Sequence, residues 1–424
     1  MRTRLRRLTA VAAASAFALV LAACSSSSSG TTADGKTLLT VVGFEGGGNE
    51  IADIPAINAA FEKAHPDIKV DYKYVANTEY DAYNNTRLAA GTAADVLMVN
   101  KSRLTTWQQQ GFLADLSDQP WVKRMMPNLA PYTQVDGKTY DFVQQNIPIG
   151  LYANLNLLKK AGIKQVPQTW PELISDLKKL KAKKIGGLEI PNLKGWDAEQ
   201  VSLALAANLV DPNWGSGYDK GGSTWAASWS PVIDHLKQLL TSGLVDGKTM
   251  NGLDPFSQGV SQFAAGKWAF YVDGAWDLKH YQESAKFDFT LNPFPGGPAG
   301  SKPKTFTFIG SGWSVNGATS HQDAAEQYVD FMSQPKQDSA YLKAESCFST
   351  LTDVPSPKVA QSAPVAAAFA AGNTSPSQVE VPNYPNSEDK FTAQLNALFN
   401  NPSMDTGALL KQLDKDIPKT PSKK

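Results

Sequence analysis

Short apolar runs alternate with helical patterns along the first third of the chain. Residues 38–42 are an apolar run of strand type, and the apolar positions within residues 54–61 share one face of a helix that Asp53 is expected to cap. Residues 68–74 alternate at a period of two, as strands do, and a further helix leads to a third strand at residues 95–99. This alternation favours an α/β fold with a mostly parallel sheet, whose ligands bind beyond the carboxyl ends of the strands.

The most informative stretch is residues 263–276, which reads F-A-A-G-K-W-A-F-Y-V-D-G-A-W. An apolar helical face ends at Gly266, a natural helix stop, and a short apolar run of strand type follows. Gly274 is expected to turn the chain sharply, which places Asp273 and Trp276 at the carboxyl end of that strand. An indole stacks on the C–H face of a sugar and a carboxylate accepts hydrogen bonds from hydroxyls, so this pair suits a saccharide. The same residues are also compatible with a buried core tryptophan and a turn aspartate.

Other polar and aromatic residues lie where predicted strands end. Glu45 and Asn49 belong to the glycine-rich loop at residues 43–49, which has no phosphate-binding register and is equally compatible with a surface turn. Another strand ends at Asn100, and Ser102 is expected to cap the helix after it. The candidate ligand-binding residues from this pattern are Glu45, Asn49, Asn100, Arg103, Trp196, Asp273, Trp276, Ser311 and Trp313, and a family resemblance carried by motifs further along the chain adds Asn146. Their amides, few charges and indoles suit an uncharged polyhydroxylated ligand, because phosphate or sulfate would require clustered arginines.

The start of the chain predicts export. An arginine-rich beginning runs into an apolar stretch at residues 8–23, which is shorter than the ~20 residues of a membrane span, so residues 1–23 are predicted to be a signal peptide. The sequence L-A-A-C ending at Cys24 resembles a bacterial lipobox, which implies that Cys24 carries the lipid anchor and that the serine-rich residues 24–36 are a tether. The predicted location is the outer face of the bacterial cell membrane, with the lipid as the only membrane contact. An ordinary signal peptide with an incidental cysteine is the alternative.

Composition limits the remaining possibilities. At 424 residues the chain is long enough for two or three domains of ~150 residues. Removing the leader takes away four arginines and no acid, so the mature chain has a net charge of −4, which argues against a nucleic-acid partner. Lipidation of one of the 2 cysteines would leave only Cys347, so no intrachain disulfide is expected. With 4 histidines and one thiol spread along the chain, neither a metal nor another cofactor is predicted.

Several motifs in order resemble one family. From Tyr140 the sequence reads Y-D-F-V-Q-Q-N-I-P-I-G-L-Y-A-N-L-N-L-L-K-K-A-G-I and then P-Q-T-W-P-E-L, in which Thr169 and Glu172 form a capping box. This passage resembles the Y-Y-N-K-D-L-F-K-K-A-G…P-x-T-W-x-E-L signature of extracellular solute-binding proteins of ABC importers, the group that includes maltose-binding protein. Residues 263–276 resemble its G-K-x-A-M-x-x-x-G-x-W segment, and residues 291–297 resemble its L-P-x-P-G-G hinge. The resemblance covers nearly all of the mature chain.

The resemblance implies a periplasmic-binding-protein-like type II fold, with two discontinuous α/β lobes, a hinge and a cleft between the lobes. The implied lobes are residues 37–146 plus 293–348 (N-terminal) and residues 147–292 plus 349–424 (C-terminal). The chain would cross between them near residues 145–150, 292–297 and 347–353. The implied protein is a monomer that captures a di- or oligosaccharide and delivers it to the transmembrane subunits of an ABC permease.

Two other functions stay open at this level. A secreted glycosidase would need two carboxylates about 5 to 9 Å apart, and Glu45 and Asp273 both lie at predicted strand ends. The sequence contains no G-x-S-x-G or H-E-x-x-H motif and no acid in a recognisable glycosidase context, so it predicts a protein that is not an enzyme. A binding protein for a polar solute other than a sugar is the second alternative.

Overall fold

The computed structural model of the chain describes residues 30–45, 53–376 and 387–419. The predicted signal peptide, the lipid-anchor residue Cys24 and the candidate ligand residue Asn49 lie outside these ranges. Within the described ranges, none of the helices has the length and apolar character needed to cross a membrane.

The chain alternates strands and helices, as the hydrophobic pattern predicts. The strands in the described ranges are β1 (Thr37–Gly43), β2 (Ile68–Tyr74), β3 (Val96–Val99), β4 (Gln134–Val135), β5 (Lys138–Thr139), β6 (Phe142–Val143), β7 (Asn146–Asn154), β8 (Gly186–Glu189), β9 (Trp268–Gly274), β10 (Phe289–Asn292), β11 (Thr305–Ile309), β12 (Gly312–Val315) and β13 (Thr374–Pro376). The α-helices in these ranges are α1 (Ile54–Ala64), α2 (Asn77–Ala89), α3 (Lys101–Gln109), α4 (Ala130–Thr133), α5 (Leu155–Ala161), α6 (Trp170–Ala182), α7 (Trp196–Leu209), α8 (Trp214–Asp219), α9 (Trp225–Ser228), α10 (Ser230–Thr241), α11 (Gly247–Asn251), α12 (Val260–Ala264), α13 (Leu278–Ser284), α14 (Gln322–Ser333), α15 (Pro335–Glu345), α16 (Ala363–Ala370), α17 (Ser387–Asn400) and α18 (Thr406–Asp416).

The strands form two separate larger sheets. The first sheet has the order β2-β1-β3-β12-β6. Strands β1, β2 and β3 are parallel, and β12 runs antiparallel to both of its neighbours, β3 and β6. The second has the order β13-β11-β7-β9-β8, with β10 also pairing with β7. Its central strand β7 is buried along its whole length, and β11, β9 and β10 run antiparallel to it. The prediction of an α/β fold is confirmed, although the second sheet is mixed rather than mostly parallel.

Three chain segments connect the two sheets and lie side by side. The backbones of Asn146 and Phe348 exchange N–H···O bonds of 3.2 and 2.9 Å, and the N–H of Gly310 donates to the carbonyl of Gln145 at 3.0 Å. We call these three segments, at residues 144–146, 309–311 and 347–349, the hinge. Because each one is bonded to a neighbour, the segments can bend together while the sheets on either side stay intact.

One crossing falls elsewhere than the sequence suggests. The segment at residues 292–297 was expected to cross between the lobes, but β10 and β11 both pair with β7, so the chain stays beside the second sheet until Ile309. It then enters β12 of the first sheet at Gly312. This long-range pairing places β11, inside the range expected for the N-terminal lobe, in the second sheet. The lobe boundaries themselves stay a prediction.

Helix ends differ from the sequence pattern in their details. Gly266 has a φ of +71° and ends the helical segment, as predicted. Asp53 and Thr169 occupy N-cap positions but make no side-chain cap hydrogen bond. The cap of α3 is Asn100 rather than Ser102, because the Asn100 Oδ1 accepts from the backbone N–H of Arg103 at 3.0 Å.

Three tryptophans in a glycine- and serine-rich region belong to the core. Trp214, Trp225 and Trp229 are 3%, 0% and 0% exposed, and their rings lie 4.7 to 5.3 Å apart. The ring of Phe391 on α17 stacks on Trp225 at 5.1 Å. This aromatic cluster joins α8, α9 and α17 into one packed unit, so these indoles are not available to a ligand.

The two types of N-cap predict different responses to truncation. Because Asp53 makes no cap bond, Asp53→Ala should change the free energy of unfolding by less than about 0.5 kcal/mol. Asp405 accepts from the backbone N–H of Ala408 at 2.7 Å, so Asp405→Ala should cost about 1 kcal/mol. Differential scanning calorimetry of both variants checks this difference. A larger loss in Asp53→Ala than in Asp405→Ala would contradict the assignment of the caps.

Candidate functional site

A cavity of about 310 Å³ lies between elements of the two sheets. On the side of the first sheet it is lined by α2 and α3, and on the other side by the loop before α7, the turn at Pro255–Gly259 and the start of α17. Its lining residues are Asn77, Thr78, Asp81, Asn85, Asn100, Ser102, Arg103, Thr106, Trp107, Leu193, Lys194, Trp196, Asp254, Pro255, Phe256, Glu388, Asp389 and Thr392. We call this space the outer cavity.

A smaller cavity of about 50 Å³ adjoins it on the hinge side. Its lining residues are Phe44, Glu45, Asn77, Asn100, Gln145, Ile147, Trp196, Phe256, Trp276, Phe308, Gly310, Ser311 and Glu345. We call it the inner cavity. Four residues, Asn77, Asn100, Trp196 and Phe256, line both spaces, so the two cavities form one cleft that narrows towards the hinge.

Trp196 supplies an aromatic wall from the side of the second sheet. The chain leaves β8, passes Asn192–Gly195 and begins α7 at Trp196. Trp196 therefore follows a strand, as predicted. Its ring is half-buried and lies 5.3 Å from that of Phe256, at an interplanar angle of 46°. A pair of neighbouring rings at the border of both cavities offers apolar faces to a ligand.

Trp276 lines the inner cavity and is 8% exposed. It lies in the short 3-10 turn Ala275–Asp277 after β9. Gly274 has a φ of −82°, so it does not make the left-handed turn that the sequence suggests. Its role is steric, because a Cβ at this position would come within 2.2 Å of the Trp276 ring. The predicted strand-end position of Trp276 therefore depends on close packing against the backbone of Gly274.

Asp273 points away from the cleft. Its Oδ1 accepts from the backbone N–H of Gly274 at 2.7 Å, and its Oδ2 accepts from the hydroxyl of Tyr281 at 2.9 Å. It is 5% exposed and lines neither of the two cavities. Burial raises the pKa of Asp273 well above its usual value, and the carboxylates of Asp277 and Asp197 add to this shift. The expectation that Asp273 meets a ligand beside Trp276 is corrected, because it packs beneath the sheet end.

Glu45 and Ser311 meet at the base of the inner cavity, next to the hinge. The Ser311 hydroxyl donates to Glu45 Oε1 at 2.5 Å, and the other oxygen accepts from the hydroxyl of Tyr341 and from Gln145 Nε2 at 3.4 Å. Burial raises the pKa of Glu45, while these hydrogen bonds act in the opposite direction. Both residues line the cavity as predicted, but the carboxylate oxygens of Glu45 already have partners within the protein.

Arg103 is fixed by its neighbours. Its Nε contacts Asp81 Oδ1 at 2.6 Å, and its Nη2 contacts Asn77 Oδ1 at 2.8 Å. The guanidinium lies over the rings of Phe44 and Tyr80, at 4.6 and 4.7 Å from their centroids. It lines the outer cavity as predicted, and its Nε and Nη2 contacts join α3 to α2, whereas its Nη1 is buried without a hydrogen-bond partner.

Two other sequence candidates lie away from the cavities. Asn146 is the first residue of β7 and pairs with Phe348 in the hinge, and it lines neither cavity. Trp313 is 1% exposed, and its indole N–H donates to Gln144 Oε1 at 2.8 Å. Its ring packs edge-on against Tyr328, so the structure places Trp313 in the core beside the first sheet rather than in the cleft.

The cleft also contains helix residues, which the search for polar and aromatic residues at strand ends does not find. Asn77, Asp81 and Asn85 follow one another at four-residue spacing along α2, so they form one polar face towards the outer cavity. Glu388 and Thr392 have the same spacing at the start of α17. This four-residue period is visible in the sequence. Such spacing places polar side chains on one side of a helix in the same way as it places apolar ones.

The outer cavity is acidic. Four carboxylates line it, from Asp81, Asp254, Glu388 and Asp389, against the cations Arg103 and Lys194. The excess of negative charge opposes binding of phosphate, sulfate or a carboxylate ligand. In the described ranges, no group of three or more histidine, cysteine, aspartate or glutamate residues is arranged to hold a metal ion.

Two α/β units, three bonded crossings and a cleft with aromatic and polar walls define a hinged binding protein. The family model described as bacterial extracellular solute-binding protein matches residues 47–339 of the chain. The chain belongs to this family, as the sequence motifs indicate, and the family is extracytoplasmic.

Two relatives with known names match across much of the chain. A multiple sugar-binding protein from Streptococcus mutans is 23% identical over 305 residues, which is 69% of this chain and 71% of that protein. The melibiose/raffinose/stachyose-binding protein MelE from Bacillus subtilis is 26% identical over 333 residues, or 75% of each chain. Both are binding proteins rather than enzymes.

The fold is also that of a solved structure titled chitin oligosaccharide binding protein. The two superpose with a TM-score of 0.76 at 18% identity, covering 90% of this chain and 98% of the other. The predicted fold class, periplasmic-binding-protein-like type II, is confirmed. At this identity the likeness concerns the fold alone.

Proposed function

We propose that this protein captures a di- or oligosaccharide in the cleft and delivers it, chemically unchanged, to the transmembrane subunits of an ABC permease. The observation that carries the proposal is the pairing of aromatic faces with hydrogen-bonding groups in one cleft. The rings of Trp196 and Phe256 border both cavities, and Asn77 and Asn100 lie at the same border. A sugar ring presents an apolar C–H face and a rim of hydroxyls, which these two kinds of group match.

The size and charge of the outer cavity fit such a ligand. Its volume of about 310 Å³ lies at the lower end of the ~300–1,000 Å³ that small-molecule sites occupy. Carboxylates and amide oxygens accept hydrogen bonds from hydroxyls, so an acidic cavity favours a polyol over an anion. The relatives' names support the same class of ligand, since they bind several sugars, or melibiose, raffinose and stachyose.

The cellular setting follows from the start of the chain. We infer that residues 1–23 are removed on export, that Cys24 carries the lipid, and that residues 24–36 tether a monomeric protein to the outer face of the membrane. We assign residues 37–146 plus 310–348 to the N-terminal lobe and residues 147–309 plus 349–424 to the C-terminal lobe, because β11 pairs with β7 of the second sheet.

The pair of carboxylates that the sequence offers does not fit a glycosidase. Glu45 and Asp273 were the two carboxylates that the sequence offered, and Asp273 does not line the cleft. Glu45 does line the inner cavity, but both of its oxygens accept hydrogen bonds from Ser311, Tyr341 or Gln145. The two residues therefore do not flank a common space in which a glycosidic bond could be cleaved.

Isothermal titration calorimetry and thermal melting of the purified protein test the proposal. Melibiose, raffinose, stachyose and chitin oligosaccharides form the panel, with inorganic phosphate and free amino acids as negative controls. At a ligand concentration of 100 times the dissociation constant, the folded state should gain about 2.7 kcal/mol, which raises the melting temperature of a chain of this length by about 3 °C. Chromatography after overnight incubation should recover the saccharide unchanged. Release of shorter sugars would indicate the glycosidase, and a response only to a control solute would indicate another class of ligand.

A further inference from the structure

Lys194 has a backbone conformation that its residue type disfavours. Its φ is +60° and its ψ is 13°, in the left-handed region, and its side chain is exposed at the rim of the outer cavity. For a residue with a Cβ this conformation costs about 1–2 kcal/mol relative to ordinary backbone. Glycine would avoid this cost.

The surrounding loop imposes this conformation. The backbone N–H groups of Asn192 and Leu193 donate to the carbonyls of Met250 and Leu253 at 2.8 and 3.0 Å. On the other side, Gly195 has a φ of +88°, and a Cβ there would lie 2.3 Å from the carbonyl oxygen of Thr392. Lys194 is thus held between two fixed neighbours, and its ammonium group is carried on a rigid support.

The side chain reaches across the mouth of the cleft. The Lys194 Nζ lies 3.5 Å from the carbonyl oxygen of Thr78, in the first turn of α2. The loop that bears Lys194 connects β8 of the second sheet to α7, whereas α2 connects β2 and β3 of the first sheet. The contact therefore joins the two walls of the outer cavity at its open side, opposite the hinge.

We propose that Lys194 is a positioning residue that holds the mouth of the cleft closed through the carbonyl of Thr78 and thereby slows the escape of bound ligand. The effect on ligand escape rests on the function proposed above, whereas the contact between the walls does not depend on which ligand is bound. The contact between the Lys194 ammonium group and the Thr78 carbonyl, at 3.5 Å, requires the two walls to be close together, so opening the cleft would break it. The left-handed backbone at Lys194 carries this ammonium group to the opposite wall.

Substitutions at residue 194 separate the side chain from the backbone strain. Lys194→Met keeps the strain and loses the donor, Lys194→Gly loses both, and Lys194→Arg keeps a donor of similar reach. Stopped-flow dissociation of the saccharide identified by the calorimetric panel should be about three- to tenfold faster for Met and Gly, with association unchanged, and close to the parent for Arg. Lys194→Gly should also melt at the same temperature as the parent or up to about 2 °C higher, because it relieves the strain.

Lys184 is the matched control. It is also an exposed lysine with a left-handed backbone, at a φ of +57°, but it lines neither cavity. Lys184→Gly should relieve similar strain and leave ligand dissociation unchanged. Equal dissociation rates in Lys194→Met and the parent, or equal acceleration in Lys184→Gly, would overturn the proposal.

Small-angle X-ray scattering of the unliganded protein tests the contact without a saccharide. Lys194→Met should have a larger radius of gyration than the parent and than Lys184→Gly, because the open state becomes more populated. This expectation holds even if no saccharide of the panel binds, in which case the proposed function fails while the contact between the walls is still tested. An unchanged radius in Lys194→Met, alone or with unchanged dissociation, would contradict the contact.

Discussion

Replacing Trp196 by alanine is expected to weaken saccharide binding about a hundredfold, which corresponds to about 2.7 kcal/mol. Trp196 is the tryptophan that borders both cavities, and its ring lies 5.3 Å from that of Phe256. Truncation would remove the flat apolar face on which a sugar ring can stack, and it would leave Phe256 without its neighbour. Calorimetric titration of Trp196→Ala with the saccharide found for the parent measures the loss.

Two further variants distinguish stacking from a general effect on the fold. Trp196→Phe keeps a smaller aromatic face, so its affinity should fall between those of the parent and the alanine variant. Trp313→Phe removes a buried indole whose N–H donates to Gln144, so it should lower the melting temperature but leave the affinity unchanged at 25 °C. Parent-like affinity in Trp196→Ala, or a loss in Trp313→Phe as large as that in Trp196→Ala, would exclude Trp196 as the main stacking surface.

Trp196 and Trp313 show how far the residues of the cleft can be predicted from the sequence. Both follow predicted strands, and of the residues selected by that rule Trp196, Trp276 and Asn100 line the cavities. It placed Trp313 there as well, although this residue lies inside β12 and faces the core. Local patterns give the ends of strands with an error of one or two residues, and a shift of one residue in a strand moves a side chain to the opposite face.

Other features depend on contacts that are distant in sequence. The position of β11 follows from its pairing with β7, about 160 residues earlier in the chain, and no local motif encodes that partner. The polar face of α2 was missed for a different reason. The four-residue spacing of its polar residues is visible in the sequence. Whether these residues line a cleft depends on which side of α2 faces the opposite wall, and the packing of α2 beside the first sheet decides that.

The burial of Asp273 belongs to a larger feature that the sequence does not reveal. Four buried carboxyl groups, Glu189, Asp197, Asp273 and Asp277, lie around the ends of β8 and β9 and the start of α7. Burial raises the pKa of Glu189 to about 9, against the lowering effect of the Lys267 ammonium, and it raises the pKa of Asp277 to about 7. Burial also raises the pKa of Asp197 well above its usual value, and the Glu189 carboxylate adds to this shift.

These shifts determine how stability depends on pH. A carboxyl group whose pKa is higher in the folded protein than in the unfolded chain keeps its proton in the folded state between the two values. Unfolding then releases that proton, so the contribution of the group to the free energy of unfolding is largest at low pH and is lost as the pH rises. For Glu189 this window runs from its usual 4.5 to about 9, and the loss is about 1.4 kcal/mol per pH unit.

Glu189→Gln is therefore expected to stabilise the protein at pH 8 by on the order of 4 kcal/mol and to change its stability by less than about 1 kcal/mol at pH 5. Glutamine has nearly the same shape and cannot release a proton on unfolding, so the variant loses only the part of the pH dependence that Glu189 causes. Glu283→Gln, on the exposed end of α13, is the matched control and should change the free energy of unfolding by less than about 0.5 kcal/mol. Chemical denaturation of the three proteins from pH 5 to 8 measures the slopes, and parallel curves for Glu189→Gln and the parent would show that Glu189 is ionised in the folded protein.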